Sequence, residues 1–429
     1  MTAKRSVRRA QTWLLVDRDT LSAQSNWSPH AASMPNPFPH AAEMFYTDSM
    51  SDTQQRFSLI SDNSLAGLRK LIGVPIEDSL EPWCYEASRD NIRHWAHGIG
   101  DDNPLWCDPN YAATTGFGRV QAPPSFIFPL NRSFSGYVGG LAGVHAMFAG
   151  IDVTWHRPMM LADAFTTKVW LKDLAEHETR FAGRSIQQIY RCEFYNQNRE
   201  LVAEGDSWCF RTERDTARER GTKYDAVKKR APVRYTREDL VKIFAHYEAE
   251  EIRGATPRYI EDVQVSDKLQ TMVKGPMTVT GFIAFAQGWG GLYIRANKLA
   301  WKQLQKHPGL GIPNKFGIPD VPERVHWEDD LATLVGTPAA YDYGPERCSW
   351  MSHHLTNWMG DSGFLRKLEV KIRRHNPVGD TLYINGEVTR TFAENGVHYA
   401  EIAQRATNQD GELSVLATGI IRLPTRAGK

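Results

Sequence analysis

Two loops in this sequence carry the side chains best suited to moving protons. The first runs Gly100-Asp101-Asp102-Asn103-Pro104-Leu105-Trp106-Cys107-Asp108 and continues to Ala112 and Gly116. The second runs Pro322-Glu323-Arg324-Val325-His326-Trp327-Glu328 and continues to Ala332, Gly336 and Gly344. Ala332 and Gly336 follow His326 at the same intervals at which Ala112 and Gly116 follow Trp106. An imidazole with carboxylates nearby is the composition of a general acid–base site working near neutral pH. Asp and Asn in a tight loop also accept backbone N–H bonds, so Asp101 and Asn103 have a structural reading beside the chemical one. Other chemistries fit less well. His353 and His354 are adjacent on a presumed helix, so they point about 100° apart, and no third ligand is spaced to help. The glycine-rich stretch Gly136–His145 follows no strand carrying a dinucleotide fingerprint. The five cysteines are scattered without a C-x-x-C pair, which suits neither a zinc site nor a disulfide framework.

These loops need a scaffold, and the sequence contains two versions of one. A chain of 429 residues predicts two or three structural units. The segment around IDVTWHRPMMLADAFTTKVWL resembles LEVKIRRHNPVGDTLYINGEV, and YNQNRELVAEGDSWCFR resembles TNQDGELSVLATGIIRLP, as an internal duplication requires. Helical stretches are expected at Arg89–His97 and Val279–Gln287. Strands are expected at Tyr190–Asn196, Leu201–Arg211 and Thr381–Arg390, with hairpin turns at Asn196-Gln197-Asn198, Asn395-Gly396 and Gln409-Asp410-Gly411. The predicted organisation is an N-terminal extension at 1–49, a first repeat at 50–212, a linker at 213–258 and a second repeat at 259–429. The extension is basic and rich in Pro, Ser and His. It reads as poorly ordered, and is either a targeting segment or codons ahead of a true start at Met50. The Arg- and Lys-rich linker reads as a solvated connection, with contact to the phosphates of a ligand as the alternative.

A formal net charge of +1 gives no reason to expect nucleic acid or an anionic membrane as partner. No apolar run approaches the roughly 20 residues that span a bilayer. The scattered cysteines fit a reducing compartment, so a cytoplasmic protein is expected.

The Gly100–Gly116 stretch resembles the G-D-x-N-P-hydrophobic-H-x-D signature of MaoC-like (R)-specific acyl dehydratases and enoyl-CoA hydratases. The resemblance implies an α+β double hot-dog fold with a FAS1-like dehydratase first half, each repeat an antiparallel sheet wrapped around a central helix. It also implies an acyl thioester substrate on CoA or acyl-carrier protein, no cofactor, no metal, and a homo-oligomer. In the family an Asp and a His grip a water, and a backbone N–H polarises the thioester carbonyl. The first half departs at two of these places: Trp106 stands at the His position and Pro124 at the oxyanion donor, where proline has no N–H. The second half carries Gly291 at the Asp position but keeps His326 and Gly344. His326 is therefore the expected acid/base and the Gly344 N–H the expected oxyanion donor, with Asp320 or Glu323 replacing the missing carboxylate. Asp101, Asn103, Trp106 and Tyr343 are the expected substrate-binding residues. About 30 residues after Gly291 form a candidate substrate loop. Aromatics flanking the second motif, among them Trp289, Trp301, Trp327, Trp350, Trp358 and Tyr341, suit a bulky or ring-containing acyl group. Two other readings stay open: an acyl-CoA thioesterase, and a silent subunit supporting a partner hydratase.

Overall fold

The computed structural model describes residues 59–76, 81–141, 144–179, 183–213 and 231–428. The predicted N-terminal extension and the cation-rich linker residues 214–230 lie outside these.

Four strands belong to the first repeat: β1 (His145–Trp155), β2 (Thr166–Thr179), β3 (Gly183–Tyr195) and β4 (Leu201–Thr212). A short β5 (Met272–Lys274) opens the second repeat. A two-residue pair, β6 (Ile312–Pro313) and β7 (Pro319–Asp320), follows. Then come β8 (Phe364–Ile372), β9 (Leu382–Glu394), β10 (Val397–Asn408) and β11 (Leu413–Leu423). Nine of them form one sheet, in the order β2-β3-β4-β1-β8-β11-β10-β9-β5. The repeats meet at β1 and β8, which pair antiparallel with Asp152 opposite Glu369. Like charges facing each other across a ladder destabilise it. Here Lys367 lies 3.0 Å from Asp152 and Lys371 2.7 Å from Glu369, so each carboxylate has its own cation. Fusing the sheets removes two edges that separate repeats would expose. This is a double hot-dog.

The helices Arg89–Ile99 and Val279–Gly288 occupy corresponding places in the two repeats. Ser88 and Thr278 cap them by accepting N–H bonds from Asn91 (3.2 Å) and Gly281 (3.0 Å). Ile92, Trp95, Ala96 and Ile99 recur at helical spacing and are buried. The helices cross where both sequences have glycine. A Cβ on Gly98 would stand 2.9 Å from the Gly288 Cα, and one on Gly288 3.0 Å from the Gly98 Cα. Helix propensity favours alanine over glycine by about 1 kcal/mol. The overlap outweighs it, and Gly98→Ala is expected to destabilise the chain by about 1–3 kcal/mol in thermal unfolding. A melting temperature equal to or above that of the parent would mean that the helices do not approach this closely.

The two central segments differ. In the second repeat the helix Gly344–Met359 is buried along its whole length. The first repeat has only a 3-10 turn at Pro124–Leu130, preceded by Pro123 and interrupted by Pro129. Proline removes the backbone donor and clashes with the preceding turn, so a long helix cannot form there. The expectation of two equivalent central helices is corrected accordingly. The segment after Gly291 is also more ordered than a loop, holding the helix Asn297–Lys306 and the β6–β7 hairpin. From Tyr235 onward the expected solvated linker packs on the second repeat. Tyr235 donates to the Gly379 carbonyl (2.7 Å), and Tyr247, on the helix Arg237–Glu248, donates to the Gly275 carbonyl (2.6 Å). No helix among the described residues is long and apolar enough to cross a membrane.

Candidate active site

The 3-10 turn Pro322–His326 carries Glu323 and His326 toward the start of the central helix. His326 Nδ1 lies 2.7 Å from the Tyr341 carbonyl oxygen. A carbonyl only accepts, so Nδ1 holds the proton and Nε2 keeps its lone pair. The imidazole stacks on Tyr343 with ring centroids 3.7 Å apart and an interplanar angle of 23°. Burial keeps it neutral, lowering its pKa to about 3 against the opposing bond to Tyr341. The lone pair on Nε2 can take up a proton, but a pKa this low makes the imidazole a weak base at neutral pH.

Glu323 is buried in the same shell. One carboxyl oxygen accepts the Tyr343 hydroxyl (3.1 Å) and the other the Tyr293 N–H (2.9 Å). Burial lifts its pKa to about 7, with those two bonds and the nearby Arg132 opposing the rise. The Tyr343 hydroxyl, pushed well above its ordinary value by burial, stays protonated. A carboxyl half-protonated near neutral pH is an effective acid/base.

Gly344 begins the central helix, so its N–H has no partner in the helix's own ladder and lies at the positive end of the helix dipole. The preceding N–H, of Tyr343, is taken by the Glu346 carboxylate (3.2 Å). Phe148 of β1 presses against Gly344: an added Cβ would lie 2.6 Å from its ring. Gly344→Ala should therefore displace the helix start and lower turnover at least ten-fold, and Phe148→Ala in the same chain should restore much of it. A single variant as active as the parent would remove this N–H from the site.

The first-half motif is built differently. The Asp101 N–H bonds to the Ala96 carbonyl and the Gly291 N–H to the Ala286 carbonyl, both at 2.9 Å, so the two positions correspond as the repeat predicts. A Cβ on Gly291 would meet open space. Asp101 is buried beside Trp106. Its pKa rises to about 7 through burial, against the Asn103 N–H and the Trp106 indole. The imidazole facing it comes from the other repeat: His353 Nε2 lies 3.5 Å from Asp101 and 3.4 Å from Glu250. The Lys274 ammonium reaches His353 Nδ1 (3.0 Å) and the Gly100 carbonyl (3.3 Å). Asn103 caps the next turn through the Leu105 N–H (2.9 Å) and donates to Asp361 (3.2 Å). A groove of about 470 Å³, its open mouth included, runs past Asn103, Trp106, Pro124, Trp155 and Met159. Asp101 and His353 are not in its lining.

Residues 70–205 match the model of the FAS1-like dehydratase domain region. A UPF0336 protein of Streptomyces avermitilis is 41% identical over 123 residues, which is 28% of this chain and 79% of that protein. A UPF0336 protein of Parafrankia is 30% identical over 141 residues, covering 31% and 87%. A solved MaoC-like dehydratase superposes with a TM-score of 0.58 at 17% identity, covering 83% of this chain and 100% of its own, which bears on fold alone. The chain belongs to the UPF0336 family, and its first half carries a FAS1-like dehydratase domain region.

In this UPF0336-family chain, the structure brings His326, Glu323, Tyr343 and Gly344 together and separates them from Asp101, Asn103 and Trp106. Asp320 stands apart from both. Its carboxylate lies 3.6 Å from Arg324 and 3.5 Å from Asn314, and it accepts the Val321 N–H (2.8 Å). Trp289, Trp350 and Trp358 are core residues, whereas Trp301 is 53% exposed. His353 and His354 diverge: His354 faces the Gln270 carbonyl at 2.8 Å. Among the described residues no group of three or more His, Cys, Asp or Glu is placed to hold a metal ion.

Several site residues carried no sequence signal. Each motif loop is faced by residues of the other repeat: the first by His353, and the second by Arg132 near Glu323. Tyr293, whose N–H bonds Glu323, donates its hydroxyl to the Ser135 carbonyl (2.8 Å). A signal for Glu323 did exist. It precedes His326 by three residues, as Asn103 precedes Trp106.

Proposed function

We propose that this chain catalyses the reversible hydration of an α,β-unsaturated acyl thioester, carried on CoA or acyl-carrier protein, at the second-half site. The observation that carries this reading is the pairing of a neutral, Nε2-basic His326 with a Glu323 carboxyl that titrates near neutrality. In the hydration direction His326 Nε2 takes a proton from water as its oxygen bonds to the β-carbon. The Gly344 N–H receives the charge that develops on the thioester oxygen. Glu323, hydrogen-bonded to the Tyr343 hydroxyl, then delivers a proton to the α-carbon, and solvent carries the proton held on His326 back to the Glu323 carboxylate. Glu323 thereby takes the place of the carboxylate absent at Gly291. The stacked Trp83 and Trp289 border a cleft together, which supports a bulky or ring-containing acyl group.

The test is loss of enoyl absorbance across a panel of trans-2-enoyl-CoAs, from crotonyl to aromatic, with free thiol measured in parallel. Hydration without CoA release supports the proposal. Release of CoA with no hydration would make the chain a thioesterase. A panel left unchanged would favour the silent-partner reading, in which the departures at Trp106, Pro124 and Gly291 all reflect lost catalysis.

A further inference from the structure

Four arginines are buried among the described residues: Arg132, Arg211, Arg324 and Arg347. Arg324 and Arg347 face carboxylates, and Arg211, whose Nε also lacks an acceptor, has both terminal nitrogens engaged. Arg347 pairs with Asp342 at 3.0 Å, and Arg324 pairs with Glu328 and Asp320. Arg211 donates to Gln188 (2.7 Å) and to the carbonyls of Val144 (2.6 Å) and Leu141. Arg132 differs. It is 3% exposed, yet its Nε and Nη2 meet no acceptor, and its Nη1 reaches the Tyr293 carbonyl only at 3.4 Å. Its guanidinium lies 4.9 Å from the centre of the Trp83 ring, whose own buried Nε1 also lacks an acceptor. Buried donors are almost always paired, and a buried cation is rarely left without an anion. The charged groups facing Arg132 are Arg295, which adds to the positive charge, and Glu323, the acid of the site above.

Trp83 borders a cleft whose lining does not include Arg132 itself. Trp83 stacks on Trp289 at 4.2 Å, and both line a cleft of about 240 Å³ with Gly290, Asn91 and His94. The next residue, Gly291, has open space where a side chain would point. Glu323 links the two regions: it accepts the N–H of Tyr293, and the carbonyl of Tyr293 faces Arg132.

We propose that Arg132, with the Trp83 indole N–H, binds a carboxylate carried by the acyl group, so that the substrates are thioesters of acids bearing a second carboxylate. The proposal rests on the second-half site being the acyl-thioester site. A planar guanidinium with two free N–H groups matches a carboxylate in a fork, and lysine cannot reproduce that geometry. Burial beneath Trp83 favours an acyl carboxylate over the phosphates of CoA, which an exposed cation would serve.

The experiment is calorimetric binding of saturated thioesters, which cannot be hydrated: succinyl-, glutaryl- and adipyl-CoA, their terminal amides, and the same acids and amides on pantetheine, which lacks CoA's phosphates. The carboxylate should bind the parent chain roughly 10–100-fold more tightly than its amide, on either carrier. In Arg132→Gln that ratio should fall close to one, and in Arg132→Lys to an intermediate value, with the neutral amides binding as before. Should Arg132→Gln not fold, the ratios of the parent and Arg132→Lys decide. Equal binding of acid and amide by the parent overturns the proposal, as does a preference untouched by either substitution. An Arg132 effect confined to CoA esters, the same for acid and amide, assigns the arginine to a phosphate and also overturns it. Because these ligands carry no double bond, the predicted ratios in a chain that hydrates nothing would refute the hydratase reading and leave this one standing.

Discussion

Replacing His326 with alanine is expected to lower enoyl-thioester hydration about 10²–10⁴-fold, the usual effect of deleting a general base. The structure specifies what is lost. Nδ1 is tied to the Tyr341 carbonyl and the ring rests on Tyr343, so the lone pair on Nε2 is held in one direction. His326→Gln keeps much of the volume without the basic nitrogen and should be nearly as impaired, which separates chemistry from packing. The imidazole is neutral above pH about 3, so the base imposes no loss of activity between pH 5 and 8. Measured by initial rates on the best enoyl-CoA of the panel, near-parental activity in His326→Ala would move the base elsewhere. Asp101 and His353 would then be the first residues to replace.

Glu323→Gln is the second large effect. Delivery of a proton to the α-carbon requires the protonated carboxyl, so parental hydration should hold below pH about 7 and decline above it as Glu323 ionises. The glutamine variant should be roughly 10²-fold slower at pH 6 and should lack that decline. Stability offers an independent readout. The folded chain keeps the Glu323 proton up to about pH 7, whereas the unfolded chain releases it near its ordinary 4.5. Between those values the folded state binds more protons, so this group makes the protein less stable as pH rises, and its contribution levels off above 7. The variant lacks that slope, so its stability relative to the parent should increase from pH 4.5 to 7. An unchanged rate profile together with an unchanged stability difference would show that Glu323 is an ordinary ionised carboxylate.

The repeat, several strand and helix positions and the family resemblance are legible in the residues alone. All three rest on local pattern: alternation along β9, helical spacing in Arg89–Ile99, Gly396 and Gly411 at hairpin turns with positive φ, and a loop motif written in consecutive residues. The sequence also exposed what each motif lacks, since Trp106, Pro124 and Gly291 are substitutions at single positions. The first central segment departs from the helix expected there, although Pro123, Pro124 and Pro129 deny a helix its donors wherever the chain goes. Only the tertiary structure decided which repeat faces which. Asp101 meets His353, and Tyr293 meets Ser135, across separations of more than 150 residues, where no periodicity links them. Tertiary structure also distinguishes the two carboxylates that the sequence offers. Asp320 and Glu323 are three residues apart, but one is part-exposed and lies beside Arg324, and the other is enclosed with Tyr343. Burial is a property of what the other repeat brings to that spot, and it moves Glu323 into the range where it can exchange a proton.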